Sequence, residues 1–168
     1  MDEKRYDTDA VKAKLAEYVE KVKYYRHQCE RMDRLQTKII GVGAQVLSDM
    51  PKAPSHDNDR AADLIAQKID LEQELGDTVA ELLEERRGIE KAIRSLKNAD
   101  QRAVILSRYI DGDSFKDVNE LVFGGKADFA DKEESYMRRV FNIHGEALIG
   151  LAAYYGLYQA DTENIAKA

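Results

Sequence analysis

Apolar residues at Val11, Leu15, Tyr18, Val22, Tyr25, Cys29, Met32, Ile39 and Val46 recur in steps that mostly alternate between four and three. That spacing keeps one side chain per turn on a single face of an α-helix, the seam of a coiled coil. Such a seam needs a partner helix to bury it. Gln36 and Gly43 interrupt it, and Asp7, Thr8 or Asp9 is placed to cap its start. A second seam runs between about Asp59 and Lys97, through Leu64, Leu71, Leu75, Thr78, Leu82, Ile89, Ala92 and Leu96, with Lys68 and Glu85 as polar breaks. Between the seams, "SDMPKAPSHDNDR" holds two prolines among turn-forming residues. It predicts a short loop, with Asp57, Asn58 or Asp59 capping the second helix. Helices of roughly 40 residues span roughly 60 Å each. Similar lengths across a short loop predict an antiparallel helical hairpin over residues 1–97. Ile65, Ile69, Val79, Leu83 and Ile93 widen the second stripe. A wider stripe implies more than one partner, hence a homodimer or higher homo-oligomer formed through the hairpin; a monomeric hairpin is the plainer alternative.

Composition agrees with an all-α chain. Charged residues make up 35% of the 168 and aromatics 8%, with two Pro and no Trp. Long helices that each bury one stripe need no thick core. The net charge of −6 argues against indiscriminate coating of nucleic acid, though it leaves room for a local basic patch. A single cysteine, Cys29, cannot close an intramolecular disulfide, so a reducing cytoplasm is expected. The polar start "MDEKRYDTDA" predicts no signal peptide, and no apolar run approaches the ~20 residues of a membrane span.

Catalysis finds no constellation here. His27, His56 and His144 are scattered, and no HExxH or Cys/His cluster offers a metal site, so neither enzyme activity nor a cofactor is expected. His27 near Cys29 reads as the edge of the seam. "GVGAQ" at 41–45 lacks the Lys-Ser/Thr pair of a phosphate loop and lies inside a helical pattern.

The third block, residues 98–158, changes character. Asn98 or Asp100 caps a short helix bearing Val104, Ile105, Leu106, Tyr109 and Ile110. "DGD" at 111–113 ends it, and Ser114 caps another short helix with Phe115, Val118, Leu121 and Val122. An irregular insert near 122–133, "VFGGKADFADKE", precedes a last helix from about Lys132 to Tyr155, and 159–168 reads as a tail. Helix, tight turn, helix, loop, helix is the order of a helix-turn-helix module.

"DQRAVILSRYIDGDSFKDVNELV" resembles the first half of a sigma factor region-four domain, and "IHGEAL" at 143–148 resembles part of the recognition helix of ArpU/RinA-type phage late transcriptional regulators. That group places a long helical hairpin before a sigma region-four-like module, and "MPKAP" and "KIDLEQEL" fit such a hairpin. The resemblance implies a phage or prophage DNA-binding regulator, a late-gene activator, that contacts double-stranded promoter DNA and RNA polymerase. The family joins its two helix-turn-helix helices by a few residues, whereas the insert here is longer and acidic. With Met137, Val140, Ile143 or His144 and Leu148 turned inward, the outward set is Tyr136, Arg138, Arg139, Phe141 and Asn142. Arg reads guanine and Asn reads adenine bidentately, and Phe141 suits a thymine methyl. Ser135, Arg102, Arg108, Lys116 and Lys132 are candidate phosphate contacts. From 100 to 158 the chain holds seven Lys/Arg against ten Asp/Glu, so such a module would bind weakly alone. Two alternatives share the pattern: a small terminase subunit for DNA packaging, and a helical protein-binding adaptor without DNA binding.

Overall fold

A computed structural model describes residues 5–46 and 56–159, and it is all-helical. Helix α1 spans Thr8–Val46 and α2 spans His56–Arg94. Helix α3, Ala99–Ile105, continues as a π-helical turn over Leu106–Asp111. Helices α4, Phe115–Phe123, and α5, Glu133–Tyr155, complete the order. Among the described residues the sole β feature is an isolated bridge between Tyr6 and Tyr158. No described helix is long and apolar enough to cross a membrane. The expected loop at the two prolines and the tail beyond residue 159 lie outside the described residues. Helix α2 begins at His56, so Asp57, Asn58 and Asp59 occupy its first turn rather than preceding it.

The caps show local chemistry setting the element ends. Asp7 Oδ1 accepts the Ala10 N–H at 2.9 Å and starts α1. Asn98 Oδ1 accepts the Asp100 N–H at 2.8 Å and starts α3. Ser114 and Asp117 form a reciprocal capping box at the start of α4. Before it, the chain turns sharply at Gly112, whose φ of 84° is a left-handed conformation that side chains resist. Three further bonds lock that turn. Ser107 Oγ donates to the Asp113 carboxylate at 2.6 Å, Arg108 donates to the Asp113 carbonyl at 2.8 Å, and the Asp113 N–H donates to the Ser107 carbonyl at 3.0 Å.

Contacts divide the chain into two compact units, and both boundaries fall inside the long helices. One unit is residues 20–84, in which Leu35 of α1 and Leu71 of α2 are buried. The other joins the chain up to Val19 with everything from Glu85 onward. Its core takes Val11 and Leu15 from α1 and Ile89, Ala92 and Ile93 from α2. Ala147, Leu148, Leu151 and Ala152 of α5 are buried in the same unit. Each fully buried Val, Leu or Ile among them contributes about 1.5–3 kcal/mol. A second cluster of Val104, Val118, Phe123, Tyr136 and Val140 unites α3, α4 and α5, with Phe115, Phe129 and Ile143 packed against it. The unit closes through its ends. The Asp7 N–H donates to the Leu157 carbonyl at 3.1 Å and the Gln159 N–H to the Arg5 carbonyl at 2.9 Å, while the rings of Tyr6 and Tyr158 stack 5.4 Å apart.

Gly150 marks the tightest approach of α5 to the end of α2, since a Cβ there would stand 2.6 Å from Leu96 Cδ2. Overpacking a filled core typically costs about 1–3 kcal/mol, so Gly150→Ala is expected to lower stability by that order in urea denaturation. Gly76, exposed in α2 with nothing within 4 Å of a Cβ, behaves oppositely. Gly76→Ala is expected to raise stability by about 0.5–1 kcal/mol through helix propensity.

Candidate nucleic-acid interface

Helix α4 buries Val118, Asn119 and Phe123 and leaves Lys116 and Leu121 exposed. The connection to α5 runs over 124–132 and is built from successive turns. Phe123 accepts from the Lys126 N–H, Lys126 from the Phe129 N–H, and both Asp128 and Phe129 from the Lys132 N–H. Phe129 packs 5.9 Å from the Tyr136 ring, which also stacks 4.9 Å from Phe123. The insert expected to be irregular is therefore pinned to the core by its own aromatic residue. Asp128 completes the pinning, accepting Lys132 Nζ and Tyr136 Oη, each at 2.8 Å. Those two donors hold the Asp128 carboxyl below the usual range, the Lys132 bond being the larger cause.

Tyr136 corrects an expectation. It was placed on the outward face of α5, but only 8% of it is exposed. The inward row begins one residue earlier than expected, at Tyr136, and continues through Val140, His144, Ala147 and Leu151. Met137, expected inward, is half-buried. The other outward residues stand where the pattern put them: Ser135, Arg138, Arg139, Phe141 and Asn142 are all exposed. Ser135, Arg138 and Asn142 follow one another at i, i+3 and i+7, so they line one face. Phe141 stands beside them, its ring 4.9 Å from Phe115. Arg138 joins no ion pair among the described residues. Arg139 lies over the rings of Phe123 at 5.1 Å and Tyr136 at 5.6 Å, which orients its guanidinium along the α4–α5 seam.

Three of the four remaining candidate cations are committed elsewhere. Arg102 donates to the Leu96 carbonyl at 2.7 Å, satisfying the end of α2. Arg108 donates to Asp113 and lies 5.0 Å over Phe115. Both are half-buried. Lys132 pairs with Asp128 at 2.8 Å. Phosphate contact by any of the three would first break these bonds. Lys116 is exposed on α4. Acids also crowd the start of α5, where an open depression lined by Asp131, Lys132, Glu133, Glu134, Ser135 and Arg138 gathers three carboxylates with two cations. Glu133 and Glu134 suit the positive end of the helix dipole and oppose an approaching phosphate.

Two buried polar residues support the face from beneath. Asn119 is fully buried and donates to the Glu133 carbonyl at 3.3 Å, tying α4 to the first turn of α5. Only its place in an apolar helix could have signalled this in the sequence. His144 Nε2 shares a 3.1 Å hydrogen bond with Tyr109 Oη of the π-helical turn, and its ring meets Phe115 edge-on at 5.2 Å. Burial pushes the His144 pKa down, and the positive charges of Lys12 and Arg108 add to the shift. Compared with known protein families, curated proteins and solved structures, the chain matches none.

The depressed pKa of His144 has a defined sign. Above about pH 6.5 the residue is neutral folded and unfolded, and the native state is unpenalised. As pH falls below that value the unfolded chain takes up a proton first, so stability declines until the lower folded pKa is reached. Urea denaturation between neutral and mildly acid pH is expected to show this decline in the wild type and a shallower one in His144→Phe. Equal slopes would remove His144 as the cause.

Proposed function

We propose that the chain is a DNA-binding transcriptional regulator of the phage late-gene activator type, with α4 and α5 as its helix-turn-helix pair and α5 as the reading helix. One observation carries the reading. Helix α5 is anchored by Tyr136, Val140 and His144 on one side while Ser135, Arg138, Phe141 and Asn142 stand exposed on another. A reading helix needs this division between a face held rigidly and a face free to enter a major groove. In this reading Arg138 bonds a guanine edge, Asn142 an adenine edge, and Phe141 meets a thymine methyl. Ser135, Arg139 and Lys116 reach phosphates, which set position rather than sequence. The long helices α1 and α2 form an antiparallel hairpin that brings two modules onto one promoter site as a homo-oligomer in the bacterial cytoplasm. The acid excess of the module makes that doubling, or a contact with RNA polymerase, necessary for useful affinity.

The three carboxylates that share a depression with Lys132 and Arg138 favour a second reading, a helical adaptor that recognises a basic protein surface. Gel-shift titration against promoter DNA at low salt separates the two. Under the regulator reading, Arg138→Ala/Arg139→Ala weakens binding to all sequences and reduces the salt slope by about 1–2. Asn142→Ala costs about 1–3 kcal/mol on the preferred site only. A protein that shifts no DNA at low salt, with the double variant indistinguishable from it, would leave the adaptor reading standing.

A further inference from the structure

In the unit of residues 20–84 the two helices carry opposite charge. Residues 20–46 hold six Lys/Arg against three Asp/Glu, and residues 56–84 hold two against nine. On α1 the exposed residues Tyr24, His27, Arg31, Arg34 and Lys38 follow steps of three and four, so they form one stripe. On α2 the exposed residues Asp63, Asp70 and Asp77 stand seven apart, with Glu74 and Glu81 beside them. Lys23 with Glu20, His27 with Glu30, and Lys68 with Glu72 each pair within one helix. Arg31, Arg34, Lys38 and the five acids of the α2 stripe have no ion-pair partner among the described residues. Ile65, Ile69 and Leu83 are 46%, 57% and 48% exposed and form a separate stripe on the other flank of α2, with Gly76 between them and open space above it.

We propose that this unit binds a second copy of the chain, the basic stripe of α1 in each copy lying along the acidic stripe of α2 in the other. Exposure alone names no partner, but the charges do. An anionic surface, whether nucleic acid or lipid, is repelled by the carboxylates of α2. A complementary surface must be basic. Helix α1 offers one: Arg31, Arg34 and Lys38 stand exposed in one row with Tyr24, and their long stems let the charged heads reach acids on a neighbouring helix. A two-fold axis makes each contact twice, α1 on α2 and α2 on α1, so every charge pairing is doubled. Charge then selects the partner and its register. The inference gives the oligomeric part of the proposed function its surface, yet it does not depend on DNA binding, because association is measured without nucleic acid.

Sedimentation velocity on the full chain tests it, with circular dichroism confirming that each variant stays helical. The wild type is expected to dimerise with concentration, more weakly at high salt. Arg31→Glu/Arg34→Glu/Lys38→Glu and Asp70→Lys/Glu74→Lys/Asp77→Lys should each self-associate more than about tenfold more weakly. Mixed in equal amounts, the two variants should recover a one-to-one dimer, since each then meets its opposite charge. A wild type that stays monomeric, a dimer untouched by both variants, or a mixture that fails to pair would each overturn the proposal. So would a monomeric wild type whose affinity for nucleic acid falls in the basic-stripe variant, because the stripe would then belong to nucleic acid.

Discussion

Everything at the candidate interface depends on the burial of the second half of α5. Ala147, Leu148, Leu151 and Ala152 are sealed in the unit that also buries Val11, Leu15, Ile89 and Ile93. Gly150 lets the helix come close enough to Leu96 for that seal. With this half fixed, the first half is a rigid extension of it rather than a separately docked element. Its direction is then refined by Tyr136 and Val140 in the smaller cluster. The α4–α5 angle is set by this packing and by the pinned insert, in which Phe129 and Asp128 hold Tyr136.

The helices and most of their ends were legible in the sequence because they rest on local chemistry. Asp7, Asn98 and Ser114 cap where their side chains can reach a free N–H. The phase of α5 was less legible. Met137 and Tyr136 both suit an inward position, and only the presence of Phe123, Phe129 and Asp128 around the tyrosine decides between them. The π-helical turn at Leu106–Asp111 gave no signal, since a register change of one residue is invisible to periodicity. Nor could the roles of Arg102 and Arg108 be read. An arginine on a short helix looks available for phosphate until a carbonyl of another element, here Leu96 or Asp113, is found against it.

Buried polar groups give the module its specificity of form. Ser107, Asn119 and His144 are the buried polar residues among those described, and each bonds across an element boundary. Ser107 holds the turn before α4, Asn119 holds α4 to the start of α5, and His144 holds α5 to the π-helical turn. An apolar core tolerates sliding, whereas directional bonds at three junctions favour one arrangement of the helices. The price of neutrality falls on His144, which stays uncharged beside Lys12 and Arg108.

The clasp between Tyr6 and Tyr158 also orders events in time. Among the described residues, the unit it closes takes residues 5–19 and 85–159, while residues 20–84 lie between them in sequence. As the polypeptide leaves the ribosome, the middle can gather its own contacts early. The N-terminal turns of α1 must wait for partners more than a hundred residues downstream, such as Leu157, which accepts the Asp7 N–H, and Tyr155, whose ring lies 5.2 Å from Lys14 Nζ. Such distant pairings are slow to form and leave apolar surface uncovered meanwhile. The start of α1 thus stays exposed to chaperones and to wrong partners for much of the protein's synthesis.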